Sequence, residues 1–390
     1  MNRYTPPVEA LQFVIEQVLE APQAWQRLPA LAHVDDARLR EVLRQAACFA
    51  SDVPAPGELP ELLNVARFEV LVATHRDWAL DARLQRATRE CTDTARLLAG
   101  AQGLGHLEAA TQIAEACVRE GRPAGAADRL ELVAEHPAVR RVLLDLRSQA
   151  EAARVLTCWT ALLLDECRHH PDAAVRAEAR DLVGLLAPVV KAFLTQLGHQ
   201  GADRALGVLG ACGHAQDPAI EQHLRDSRLA MIQGGSNEMQ AIELLQHQVL
   251  ARPQRLQGLL RVWAAERDAL AALARLAGPE CQHPLYAWSE EMAHQIETVS
   301  AATEALRAAL ARDPERPLRV ADDYLQGLGH ALMAWAWARL TRAALLDADP
   351  ARRARLPTLA AHGRQWLLPV AELHWSRVAA DGLALAEFAA

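Results

Sequence analysis

A chain of 390 residues with 51% hydrophobic but only 4% aromatic content is long enough for a substantial core and two or three domains, and its Ala/Leu-rich make-up excludes a disordered chain. The 41 Lys+Arg against 49 Asp+Glu leave a formal charge of −8 without any basic tract, which argues for solubility and against a nucleic-acid surface. The 7 cysteines stand isolated without Cys-x-x-Cys spacing, so reduced thiols are expected rather than zinc or disulfides; with no signal-like start and no run of about 18 uncharged apolar residues, a cytoplasmic protein without a membrane segment is expected.

In chain order, Val8, Leu11, Ile15, Val18 and Leu19 fall at helical spacing behind Pro6 and Pro7, which predicts a first amphipathic helix over Val8 to Glu20. Asp35-Asp36 caps a second, with Leu39, Val42, Leu43, Ala46 and Phe49 on one face and an end before Pro54 and Pro56. The segment VPAPGELP reads as a linker, and Leu59 to Leu80 is again helical by period. Ala82 to Arg119 predicts one long helix in which Gly100, Gly103 and Gly105 mark close packing or a bend. After a break at 121–128, helices are predicted at about 136–169, 172–199, 201–211 and 218–231, several opened by proline. The last third predicts helices at about 254–277, 285–312, 318–347 and 356–387. Almost every segment is helical, so the expected fold is all-α: an N-terminal helical segment over 1–85, a four-helix bundle over 86–250 and a further helical domain over 251–390.

One stretch carries a pattern beyond packing. In Arg225 to Leu250, RDSRLAMIQGGSNEMQAIELLQHQVL, two helical patterns meet at Gly-Gly-Ser-Asn, with Ser236 or Asn237 as N-cap and Met239, Ile242, Leu245 and Val249 as the apolar set. A helix entered through glycines presents unpaired amides that a flat or anionic ligand can approach closely. For the histidines His169, His170, His199, His214 and His223 a surface or helix-end place is the commoner outcome, so no metal is expected. Trp335 and Trp337, beside Met333, read as core packing, and no serine has the surroundings of a nucleophile.

RDSRLAMIQGGSNEMQAIELL resembles the "RDARI…IYEGTNEIQ" segment of the acyl-CoA dehydrogenase family. Upstream, Ala205 to His214 (ALGVLGACGH) is similar to that family's "ALQLHGGMGY", and further likeness runs through Ala95 to Gly125 and His136 to Asp165. Leu325 to Thr341 (LQGLGHALMAWAWARLT) resembles the helical tail of the larger bacterial members, and Tyr4 to Leu19 their opening helix. The resemblance implies FAD as cofactor, α,β-dehydrogenation of an acyl-CoA thioester as the reaction, and assembly into homo- or hetero-oligomers through C-terminal helices. By the same resemblance, Gly210, Gly213, Gly235, Ser236 and Asn237 are the cofactor-binding residues.

The chain also departs from that pattern. The family inserts a β-sheet domain between its helical parts, yet here only about 45 residues of helical period lie between the N-terminal and C-terminal likenesses, where a sheet domain needs on the order of 100. The Glu that removes the α-proton in many members aligns with Gly234, and Asp93, on the first long helix, is the one substitute carboxylate. The family's nucleotide-contacting glutamine aligns with Gly207, its second glycine with Ala211 and its tyrosine with His214. Three readings stay open: a flavoenzyme, an inactive relative that pairs with a complete acyl-CoA dehydrogenase, and a helical scaffold without a ligand. The degenerate relative, weakly active or inactive as an isolated chain, is the expectation.

Overall fold

The computed structural model describes residues 5–52, 82–120, 136–210 and 218–380, and every regular element among them is a helix. Contacts divide the chain into two compact units, residues 1–236 and 237–390. The boundary lies at the Gly-Gly-Ser turn rather than at 250, so the helix that follows the turn is part of the second unit.

The first unit opens with α1 (Val8–Phe13, prolonged by a π-helical turn over Val14–Val18), a short α2 (Ala21–Gln26) that the periodicity did not reveal, and α3 (Asp36–Asp52). Asp35 caps α3 by accepting from Arg38 N at 2.8 Å, the bond that its side chain offers a free first-turn amide. Thr5 and Gln112 exchange two hydrogen bonds of 2.9 and 2.8 Å, and Trp25 Nε1 donates to Asp165 at 3.2 Å, which ties this segment to the long helices. Burial raises the Asp165 carboxyl above its ordinary range, opposed by that indole bond.

The long helices are α4 (Ala82–Glu120), α5 (Pro137–His169), α6 (Ala173–Leu209) and α7 (Pro218–Ile232). Their directions follow from the residues that meet. Gly100 faces Val190 and Gly201 faces Leu107, so α4 and α6 run parallel; Glu108 bonds Arg154 while Glu115 pairs with Arg147, so α5 is antiparallel to α4. Lys191 bonds Met231 and His199 bonds Ser227, which makes α7 antiparallel to α6. The result is an up-down-up-down bundle. The break expected between the helices at 172–199 and 201–211 falls inside the single helix α6, where Gly198 and Gly201 admit α4. Gly100 and Gly103 are close-packed as expected, whereas Gly105 has nothing within 4 Å of an added Cβ. Helix α6 is long and apolar enough to cross a membrane, but 83% of its apolar window is buried in the bundle.

The second unit contains α8 (Asn237–Ile242, continued as a π-helix over Glu243–Leu250), α9 (Pro253–Leu276), α10 (Pro279–Ala309), α11 (Arg316–Leu346), α12 (Pro350–His362, with a π-helical turn at Gly363–Leu367) and α13 (Val370–Ala379). Helix α11 is its axis: Tyr324, Trp335 and Trp337 are buried in it, and buried Glu266 of α9 is paired with Arg342 at 2.6 Å. The single helix expected over 356–387 is two, because the π turn and Pro369 change the chain's direction. In α8 the expected inward Met239 is exposed, while Gln240, Ala241, Leu244, Leu245 and Val249 are buried. The wider π turn adds residues per turn and so rotates the buried face away from the positions a 3.6-residue period selects.

No disulfide joins the six described cysteines, and Cys212 lies outside the described residues.

Candidate functional site

The site is built from one charge that has no obvious place in its surroundings. Lys191 is the one formally charged residue between Asp181 and Asp203, in the middle of α6, and is almost wholly buried. A buried ammonium must find acceptors, and Lys191 Nζ donates to Met231 O at 2.9 Å and Gly235 O at 2.7 Å. These are carbonyls that the end of α7 and the following turn would otherwise leave without partners. Lys191 therefore fixes the Gly-Gly turn against the bundle. The turn itself requires glycine: Gly234 has φ 69° and Gly235 φ 93°, in the left-handed region where a side chain is strained. Ser236 stands immediately before the helix that begins at Asn237, the N-cap position, and Asn237 is buried.

Gly234 thus offers backbone where a carboxylate was sought. Asp93 lies in the interior of α4, seven residues before Gly100, with its Oδ1 3.6 Å from Arg96 Nη1. Gly210 ends α6 with φ 61°, nineteen residues after Lys191, or roughly 28 Å along the axis. The turn residues Gly234, Gly235, Ser236 and Asn237 are therefore together, while Gly210 stands at the other end of the bundle; Gly213 lies outside the described residues. Gly207 and Gly210 have no atom within 4 Å of an added Cβ, so this end of α6 is open. Around the other end, Leu98 of α4 and Leu229 and Ile232 of α7 are exposed, more than half of each side chain facing solvent.

Residues 85–249 match the family model of the acyl-CoA dehydrogenase C-terminal domain. This segment is similar to the C-terminal domain of the acyl-CoA dehydrogenase family. The 3-methylmercaptopropionyl-CoA dehydrogenase of Ruegeria pomeroyi is 35% identical over 161 residues, which are 40% of this chain and 27% of the relative. The mitochondrial short-chain specific acyl-CoA dehydrogenase of Bos taurus is 30% identical over 155 residues, 40% of this chain and 33% of that protein. The chain therefore matches about a third or less of the length of these curated relatives. Among solved structures, an acyl-CoA dehydrogenase complexed with FAD from Bacillus anthracis has the same fold over 76% of this chain and 50% of its own, at TM-score 0.59 and 14% identity.

One feature of this bundle had no legible signal. His106 of α4 and His223 of α7 approach with their Nδ1 atoms 3.1 Å apart and their rings edge to face, and His106 Nε2 is buried without a partner. Burial lowers the His106 pKa to about 4, His223 acts in the same direction, and Asp226 opposes both. A histidine whose folded pKa lies below its unfolded value of about 6.5 takes up its proton first in the unfolded chain, so stability is lost as pH falls from about 6.5 towards 4. Between pH 7 and 5 this group is expected to cost at most about 2 kcal/mol, and His106→Leu should remove that part of the slope in urea melts. His330 in the second unit, lowered to about 4 by burial and then by His374, contributes separately. An unchanged slope in the His106 variant would show that the pair is solvated.

Proposed function

We propose that the chain is an acyl-CoA dehydrogenase-like, FAD-binding protein with little or no dehydrogenase activity as an isolated chain. Gly234 carries this reading: the position that should supply the base has no side chain, and its left-handed backbone disfavours one. The residues present fit a flavin through backbone and space. The exposed Gly234-Gly235 turn stands beside a buried cation, Lys191, whose positive potential favours an electron-rich ligand, and at Gly207 and Gly210 no atom of the described residues lies within 4 Å of an added Cβ. When bound, FAD would supply the hydride acceptor for oxidation of the Cα–Cβ bond of an acyl-CoA. The one substitute carboxylate for the proton acceptor, Asp93, lies on α4 with Arg96 beside it. Residues 53–81, between α3 and α4, also number far fewer than the order of 100 that a sheet domain needs to shield the site from water.

The roughly 28 Å between Gly210 and the Gly-Gly turn favours an assembled form. A ligand held at both motifs is better served by the turn of one subunit and the α6 end of another, either a second copy or a complete acyl-CoA dehydrogenase. The exposed Leu98, Leu229 and Ile232 would be covered in such a complex.

Purified chain incubated with FAD should show absorbance between 350 and 500 nm after removal of free flavin, and light scattering should give at least a dimer. With acyl-CoA substrates of several lengths and an artificial electron acceptor, turnover should stay below about 1 s⁻¹. Turnover at or above that rate would refute the inactive reading. In that case Asp93→Asn should abolish it, and an unaffected variant would remove Asp93 as the base.

A further inference from the structure

A second site lies within residues 237–390. The first part of α10, the turn after α12 and α13 enclose a groove of about 330 Å³, at the small end of the range for ligand sites. Its walls carry charges that the protein leaves unmatched. Arg364 lies over the Trp288 ring at 5.8 Å and makes a marginal bond to Ala287 O at 3.4 Å, although a guanidinium has five donors. Glu291 accepts from Gln295 Nε2 at 2.9 Å, Glu372 is exposed, and no ion pair joins either to Arg364 among the described residues.

Two further lining residues are themselves buried, Gln295 at 4% exposed and Trp375 at 7%. The indole is held in place beforehand. Tyr324 meets it edge to face at 5.4 Å, and it rests on Gly327, where an added Cβ would stand 2.6 Å from Cε2.

We propose that this groove binds a small zwitterion, an α-amino acid with a large apolar side chain. Its carboxylate takes the fork of Arg364 and its ammonium goes to Glu291. Its side chain lies on Leu368 and the indole of Trp375, the apolar parts of the wall. A simple anion would face two uncompensated carboxylates, and a simple amine would leave the guanidinium unused.

Calorimetric titration of the full chain with L-phenylalanine tests this. Binding with a Kd of about 1 mM or tighter is expected. The methyl ester, which lacks the carboxylate, and the N-acetyl derivative, which lacks the ammonium, should each bind at least about tenfold more weakly, and Arg364→Met should weaken phenylalanine to the same degree. No binding at about 10 mM, or equal binding of the ester or the N-acetyl derivative, overturns the proposal. Equal binding to a folded Arg364→Met chain overturns it too, and if that variant does not fold, the comparison of the three compounds on the unaltered chain still decides. No flavin or acyl-CoA enters the experiment, so its outcome is independent of the dehydrogenase reading.

Discussion

Arg154→Met is expected to destabilise the first unit by about 3–5 kcal/mol, the largest effect of any single substitution considered, because it strands two buried carboxylates. Arg154 of α5 donates to Glu108 of α4 through Nε at 3.0 Å and Nη2 at 2.6 Å, and to Glu151 through Nη1 at 2.5 Å. All three residues are buried, so the guanidinium is what offsets the two carboxylates inside the bundle. With methionine there, Glu108 and Glu151 face each other without that cation, and the loss is measured as the difference between the urea unfolding free energies of variant and parent. The triple variant Arg154→Met, Glu108→Gln, Glu151→Gln should lose much less than the single one, since it leaves no unpaired charge. A loss under about 1 kcal/mol for Arg154→Met would mean that the cluster is hydrated.

That cluster was invisible in the sequence, where Glu108, Glu151 and Arg154 look like ordinary charges on helices; only the crossing of α4 and α5 brings Glu108 and Arg154 together from 46 residues apart. The helical architecture was legible because proline and glycine stand mainly where helices begin and end, and because His136-Pro137 and Asp35 carry their caps locally. Local rules failed where tertiary contact decides the outcome. The boundary expected near 200 is absent, since propensity cannot distinguish a glycine that ends a helix from one, such as Gly198 or Gly201, that lets another helix in. The buried face of α8 was misread because a π turn changes the period on which the reading depends. At the candidate site, the Gly-Gly-Ser-Asn turn was recognisable from its residues and from family likeness. The distance from Gly210 to that turn was not, because it is set by the length of α6 and the direction of α7. Lys191 was the missed residue with a usable signal: a lone charge within Leu182–Thr195 must be buried with acceptors if the helix is a core helix.

The last expected result concerns the seam between α4 and α6, where an alanine at Gly103 or at Gly198 should cost about 2–3 kcal/mol each. Alanine ordinarily favours a helix interior over glycine by about 1 kcal/mol, so a destabilising outcome requires packing to outweigh propensity. The geometry supplies that. A Cβ at Gly103 would overlap the Leu194 carbonyl oxygen and stand 2.6 Å from its carbon and 2.8 Å from Thr195 Cα. A Cβ at Gly198 would overlap the Gly103 carbonyl oxygen and stand 3.0 Å from Gly103 Cα. These obstacles are backbone, which cannot rotate out of the way as a side chain can, so the helices themselves must separate. Separation would loosen the contacts on either side, including Gly100 against Val190 and Gly201 against Leu107. Because the two glycines touch each other, the second substitution meets helices already moved apart by the first, and the double variant should cost clearly less than the sum of the singles. Gly105→Ala is the control, since nothing stands within 4 Å of its Cβ, and propensity alone should make it neutral or stabilising by up to about 1 kcal/mol. Denaturant melts of the four chains check all of this together. Additive losses at 103 and 198, or a loss at 105 equal to theirs, would contradict a shared backbone contact as the cause.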